Sequence, residues 1–180
     1  MRAADQNDAH GLAVAHVDTW RATYVEIMPA DFLAGLSVSA KESTWRESLK
    51  APQPGVHCWV AELADRIVGF VSFGPSRDKD GEGVAEIYAM YATPDVWGTG
   101  VGRAMMERAT GLLRDAGFEM GTLWVLANNP RARRFYERAG WQPDGATKDE
   151  EVAGRSLHKL RYRTQLKLFG FYGATTPGNR

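Results

Sequence analysis

Three glycines, Gly98, Gly100 and Gly102, stand at alternate positions after a polar turn, and the residues behind them read as an amphipathic helix. Val101, Met105, Ala109, Leu112, Leu113 and Ala116 gather on one side, with Arg103, Glu107, Arg108, Arg114 and Asp115 largely on the other. A helix start carries backbone N–H groups with no internal acceptor and the positive end of the helix dipole, so glycines that let the chain wrap closely prepare it for a phosphate. Such a site would hold the anion through main chain rather than through a lysine. Two commoner phosphate templates do not fit. A P-loop needs Gly, four residues, then Gly-Lys-Ser/Thr, and no such run exists. A dinucleotide fingerprint needs Gly-x-Gly-x-x-Gly and an acid closing the next strand, whereas the next apolar run, Met120 to Leu126, ends in Ala127-Asn128.

Other reactive residue types are sparse. The single cysteine, Cys58, lies in the apolar run CWVAEL, which rules out an internal disulfide and reads as a buried, inert thiol. His10, His16, His57 and His158 are scattered without ligand spacing, so no metal is expected. Lys+Arg and Asp+Glu balance at 22 each in 180 residues, which gives no global field toward nucleic acid or an acidic membrane. With no apolar run of eighteen residues and no signal-like N-terminus, a cytoplasmic protein without nucleic-acid or membrane partners is expected.

The segment Trp97-Gly98-Thr99-Gly100-Val101-Gly102, followed by Arg103-Ala104-Met105-Met106, resembles the acyl-CoA pyrophosphate loop of the GCN5-related N-acetyltransferases (GNAT), Gln/Arg-x-x-Gly-x-Gly/Ala. It departs at the first position, where Trp97 removes a possible side-chain contact while leaving the backbone donors. A second block, Asn129-Pro130-Arg131-Ala132-Arg133-Arg134-Phe135-Tyr136-Glu137-Arg138-Ala139-Gly140-Trp141, resembles the family's Asn-x-x-Ala-x-x-Phe-Tyr-x-x-x-Gly-Phe. Two blocks in order, about thirty residues apart, are more specific than either alone, and the resemblance covers roughly Cys58 to Leu166.

The resemblance implies an α/β (α+β) fold with a central mixed, mostly antiparallel sheet of six to seven strands, flanked by helices and splayed at the central strands. It implies an acetyl-CoA-dependent N-acetyltransferase, acetyl-CoA being a cosubstrate and no metal being needed. The cofactor would meet Met90, Tyr91 and Ala92 on the central strand, then Trp97, Gly98, Thr99, Gly100, Val101, Gly102 and Arg103, with Asn129 contacting it or only capping its helix. An N–H near Met90 would donate to the thioester oxygen. Tyr136 would be the acid, since a phenol near pKa 10 can protonate a departing thiolate of pKa about 8.5. Glu86 resembles the central-strand glutamate that accepts the amine's proton. The acceptor is expected to be a small-molecule primary amine, with Trp20 and Tyr24 lining its pocket or packing in the core; a homodimer is compatible with the sequence. The alternatives are an acetyltransferase of protein N-termini or lysines, which would need an open groove, and a non-catalytic acyl-CoA-binding sensor, which would not need Tyr136.

The elements that must position these residues follow from periodicity. One domain, 1–180, is expected: a helical acceptor-side segment 1–55, a cofactor-binding core 57–142, C-terminal strands 143–168 and a frayed tail 173–180. Helices are predicted over about Asp8 to Glu26, Asp31 to Leu36 and Ala40 to Leu49. A hairpin is predicted from His57–Leu63 and Arg66–Phe73 around Ala64-Asp65, then a solvated loop over 77–83. On the central strand, Val84 to Ala92, simple alternation puts Glu86, Tyr88, Met90 and Ala92 on one face and Ala85, Ile87, Ala89 and Tyr91 on the other. Arg131, Arg133, Arg134 and Arg138 give the Asn129 helix a basic face, read as solvated surface or as an attraction for a cofactor phosphate, and Asp149-Glu150-Glu151, ahead of the last turn, is read as a solvated loop, the alternative being that it draws a cationic acceptor.

Overall fold

Apolar residues recurring at threes and fours build two of the flanking layers, and alternating or fully apolar runs build the sheet between them. The computed structural model describes residues 1–166. The predicted tail, 173–180, and the end of the last predicted strand, 167–168, lie outside the described residues. In chain order the elements are β1 (Arg2–Ala3), α1 (Ala9–Thr23), α2 (Ala30–Ala34), α3 (Val38–Lys50), β2 (His57–Leu63), β3 (Arg66–Pro75), β4 (Ala85–Ala92), α4 (Val101–Asp115), β5 (Met120–Leu126), α5 (Pro130–Arg138), β6 (Gln142–Val152) and β7 (Arg155–Gln165). The short β1 was missed in the sequence because two residues carry no period; its partners are Val60 and Trp59.

The strands form one seven-stranded sheet in the order β1-β2-β3-β4-β5-β7-β6. Every neighbouring pair is antiparallel except β4 and β5. The β2–β3 turn is two residues, Ala64 and Asp65, both at positive φ (47° and 58°), the conformation whose twist suits a tight hairpin.

The parallel β4–β5 pair is short. It runs from Ala85 opposite Gly121 through Glu86 opposite Thr122 to Ile87 opposite Leu123, and the strands diverge beyond it. The Thr122 hydroxyl donates to the Ala85 carbonyl at 3.1 Å and ties the two where they still pair. At the same level β4 bulges against β3: Ala89 faces Ser72, yet Ile87 faces Phe73, leaving Tyr88 as the extra residue. The simple alternation read from the sequence is therefore wrong across this strand. Ala85 and Ile87 belong with Met90 and Ala92 to the core beneath α4, whereas Ala89 and Tyr91 pack toward α1.

Two cores result, one on each face. Beneath α4 and α5 lie Val71, Phe73, Met105, Leu113, Leu123 and the wholly buried Trp141 and Tyr162. On the opposite face Leu12 and Ala15 of α1 pack with Val60 and Phe70 of the sheet, and Met28 and Leu33 join Leu126 of β5 and Leu157 of β7. Cys58 is half-buried, and burial pushes its thiol up to about 12, which keeps it a poor nucleophile at neutral pH. The acidic run Asp149-Glu150-Glu151 is part of β6, not a loop, with Asp149 bonded to His158 (2.9 Å) and Glu150 paired with Lys159. Among the described residues no helix is long and apolar enough to cross a membrane.

Candidate active site

The turn before α4 is built as the glycines allow. Gly98 and Gly100 sit at φ +81° and +98°, a region that costs other residues strain, and a Cβ on either would meet nothing within 4 Å. Within this turn the amides of Trp97 and Thr99 are spent on the carbonyls of Pro94 and Val96. The first helical amide bonded back is that of Ala104, to Gly100, and no side chain caps the helix. Among the described residues the amides of Gly98, Gly100, Val101, Gly102 and Arg103 thus have no backbone acceptor, at the positive end of a fifteen-residue helix.

Trp97, the departure from the family pattern, has its own role. Its indole N–H donates to the Ala92 carbonyl at 2.7 Å, and the Arg131 guanidinium lies over its ring at 3.3 Å from the centroid. The Ala92 carbonyl also accepts from the Thr19 hydroxyl at 3.1 Å, so it is occupied by protein donors. Arg131 has no carboxylate partner among the described residues, and burial lowers its pKa from the ordinary arginine value.

α5 starts with Asn129 as cap, its Oδ1 accepting from the Ala132 amide at 3.0 Å, and with Pro130 at the first position. Arg133 leaves the basic face and turns inward: it donates to the Tyr162 hydroxyl at 3.1 Å and to the Ala127 carbonyl at 3.2 Å, while Tyr162 donates to Glu137 at 2.8 Å. These bonds fix the helix on the sheet, and Tyr136, against Phe135 and 6.4 Å in centroid distance from Tyr162, is held at the divergence of β4 and β5. Burial, reinforced by Tyr91, raises the Tyr136 phenol well above its ordinary pKa, so it keeps its proton.

One cavity of about 940 Å³ passes through the gap in the sheet. On the α4–α5 side it meets Gly98, Gly100, Gly102, Arg103, Asn129 and Arg131. In the gap it meets Met90, Tyr91, Ala92, Trp97 and Tyr136, and toward α1 it meets Glu86 and Tyr24. Thr99 and Val101 are not on its wall: the Thr99 hydroxyl donates to Val96 at 2.8 Å and Val101 packs into the α4 core. Trp20 lines a smaller pocket of about 80 Å³ that shares Tyr24 and Tyr91 with the large one, and its ring packs edge-on to Tyr24 at 4.8 Å.

Glu86 is buried, and three donors of one residue hold its carboxylate: the Arg77 amide (2.9 Å), Nε (3.2 Å) and Nη2 (2.5 Å). The segment 77–83 is therefore not merely a solvated loop. Asp78 accepts from the Trp124 indole (3.2 and 3.0 Å), and the buried Arg161 gathers Asp78, Asp80 and Asp144 at 3.2, 2.7 and 2.8 Å, strapping this loop to β7 and β6. Arg77, Asp78, Trp124 and Lys148 all line the cavity, and sequence reasoning singled out none of them. The hint available was the pair of charged residues that follows Gly74-Pro75-Ser76, at the mouth of the central hairpin.

A seven-stranded sheet split at its one parallel pair, with an uncapped glycine turn on one side of the split, defines the frame of GCN5-related acetyltransferases. Solved structures share it: PaiA N-acetyltransferase of Thermoplasma acidophilum, solved in complex with coenzyme A, matches with a TM-score of 0.69 at 16% identity over 91% of this chain and 96% of that one. YncA of Salmonella typhimurium, a putative acetyltransferase solved with acetyl-CoA, matches at 0.65 and 20% identity over 92% of both. Among sequences, the uncharacterized N-acetyltransferase YuaI of Bacillus subtilis is 34% identical over 162 residues, 89% of each chain. A probable N-acetyltransferase of Mycobacterium tuberculosis is 29% identical over 99% of this chain and 96% of its own. The family model described as Acetyltransferase (GNAT) family matches residues 18–141; the chain belongs to this family and is an N-acetyltransferase.

Proposed function

We propose that this enzyme transfers the acetyl group of acetyl-CoA to the primary amine of a small molecule by direct attack in a ternary complex. The observation that carries the reading is the continuity of the cavity, which joins the unpartnered amides of the glycine turn, the protonated Tyr136 and the polar acceptor-side wall through one gap in the sheet. The residues suit acetyl-CoA: the turn has donors without acceptors, no Cβ fills it, and Arg131 stands beside it without an acid.

The amides of Gly98 and Gly100 to Arg103, with Arg131, hold the diphosphate. Asn129 adds a contact beyond its capping bond. The edge of β4 from Met90 to Ala92, left without a β5 partner, takes the pantetheine arm as a strand would, and the Met90 amide donates to the oxygen that gains charge during transfer. Bound acetyl-CoA supplies an activated acyl thioester. The acceptor nitrogen must lose a proton to attack; Glu86 takes it through water, since Arg77 fills three of its roughly four acceptor positions. Tyr136 gives its proton to the departing sulfur and regains one from solvent.

Replacing Tyr136 by Phe tests this. Thiol release from acetyl-CoA should fall about 10²–10³-fold in kcat, with the Kd for CoA within a factor of about two. Undiminished turnover in the folded variant removes Tyr136 as the acid. A wild-type protein that binds acetyl-CoA and never releases thiol, whatever the amine, would instead be the sensor.

A further inference from the structure

The acceptor-side half of the cavity has an unbalanced wall. Its acids are all engaged: Glu86 by Arg77, Asp78 by Arg161 and the Trp124 indole, Glu150 by Lys159. Lys148, among the described residues, stands beside these engaged acids without one of its own. Lys148, on β6, lines the cavity with its ammonium 4.0 Å from the centroid of the Trp124 ring and, among the described residues, has neither a hydrogen bond nor a carboxylate at ion-pair distance. Desolvation presses its pKa down; Lys159 and Arg77 push the same way, while Asp78 and Glu86 oppose it at longer range. Trp124 beneath it is a fixed platform, since Asp78 holds its N–H with both oxygens. A partly desolvated ammonium without a counter-ion is compensated when a ligand brings the negative charge.

Given the proposed function, we infer that the acceptor amine also carries an anionic group, a carboxylate or a phosphonate, that docks on Lys148 above the Trp124 ring. A lysine ammonium is a compact point charge with rotatable donors, so it accepts either oxyanion without demanding a flat two-pronged fit. A polycationic amine would add positive charge to a wall whose acids are already neutralised.

Matched acceptors test the assignment on the full chain: an amino carboxylate, its aminophosphonate analogue, its carboxamide and the amine lacking the acid, each assayed by thiol release with acetyl-CoA. The acidic members should exceed the neutral ones by about tenfold or more in kcat/KM, mainly through KM, and the order of carboxylate and phosphonate identifies the anion. Lys148→Met, which keeps the apolar stem on Trp124, should raise KM for the acidic members about tenfold at unchanged kcat and leave the neutral members as they were; Lys148→Arg should recover most of the loss. Neutral amines used as well as acidic ones, or Lys148→Met slowing all members alike, would overturn the inference. If no member turns over, the melting temperature of the CoA-saturated protein decides, and the absence of a rise specific to the acidic members also overturns it. Failure of the wild type to bind CoA would remove the proposed function itself, whereas intact CoA binding with indifference to the acid removes only this inference.

Discussion

Tyr136 is held as a neutral phenol by burial, and the direction of that shift fixes a pH dependence. An aliphatic ammonium of pKa about 10.4 must lose its proton before attack, so log kcat/KM should climb with unit slope to about pH 9. Tyr136→Phe should lower that line in parallel without bending it; a fall above pH 8 in the wild type that the variant lacks would show a phenol ionising in the working range. The Trp97–Arg131 stack makes a second prediction. Trp97→Ala frees the guanidinium and leaves the Ala92 carbonyl to the Thr19 hydroxyl alone, and with about 1 kcal/mol for the stack the Kd for CoA should rise about fivefold by titration calorimetry. Tyr136 and Asn129 were legible in the sequence because they lie in one contiguous block whose spacing is that of a single helix. Arg77, Asp78, Trp124 and Lys148 were not, because loop, β5 and β6 deliver them from separate parts of the chain and no common spacing links them.

The glycine turn and α4 form the element to which the proposed function assigns cofactor binding, and their conformation was readable because only glycine adopts φ near +98° at low cost. Gly100→Ala should keep the fold, since nothing stands within 4 Å of the added carbon, yet strain the turn by about 1–2 kcal/mol and weaken CoA binding about tenfold. Circular dichroism and a CoA titration separate the two effects, and an unchanged Kd would show that the turn is not the phosphate clasp. The bulge at Tyr88 stayed hidden for a physical reason. On a strand buried on both faces, apolar residues mark neither face, so an inserted residue leaves no break in the pattern; only the pairing with β3 reveals it. The loop 77–83 was misread for the opposite reason, as five of its seven residues are charged and three of those charges are engaged by Glu86 and Arg161.

For the whole molecule, ligand and proton linkage give two measurable consequences. CoA bound only by the folded chain must raise the melting temperature, with about 2.7 kcal/mol of added stability at a hundred times Kd, and Gly100→Ala should need correspondingly more ligand for the same rise. His16 joins α1 to the sheet among Trp20, Trp45, Phe70 and Tyr91, and burial, with Lys41 nearby, lowers its pKa to about 4. The unfolded chain takes up this proton near pH 6.5 and the folded one resists it. The contribution is therefore complete above about pH 6.5 and is lost as pH falls toward 4, up to about 3 kcal/mol in all. His16→Phe should flatten the decline of melting temperature between pH 6.5 and 4.5; parallel wild-type and variant curves would place the acid sensitivity elsewhere.

The parting of β4 from β5 after Ile87 and Leu123 opens the sheet from one side to the other. In the proposed reaction donor and acceptor would enter from opposite faces and meet midway, at Tyr136. Neither would then have to leave before the other arrives, and spent CoA could depart while the acetylated product still sits opposite. Double-reciprocal plots for the two substrates should accordingly converge rather than run parallel, because the proposed direct transfer has no stage at which the enzyme carries the acyl group alone.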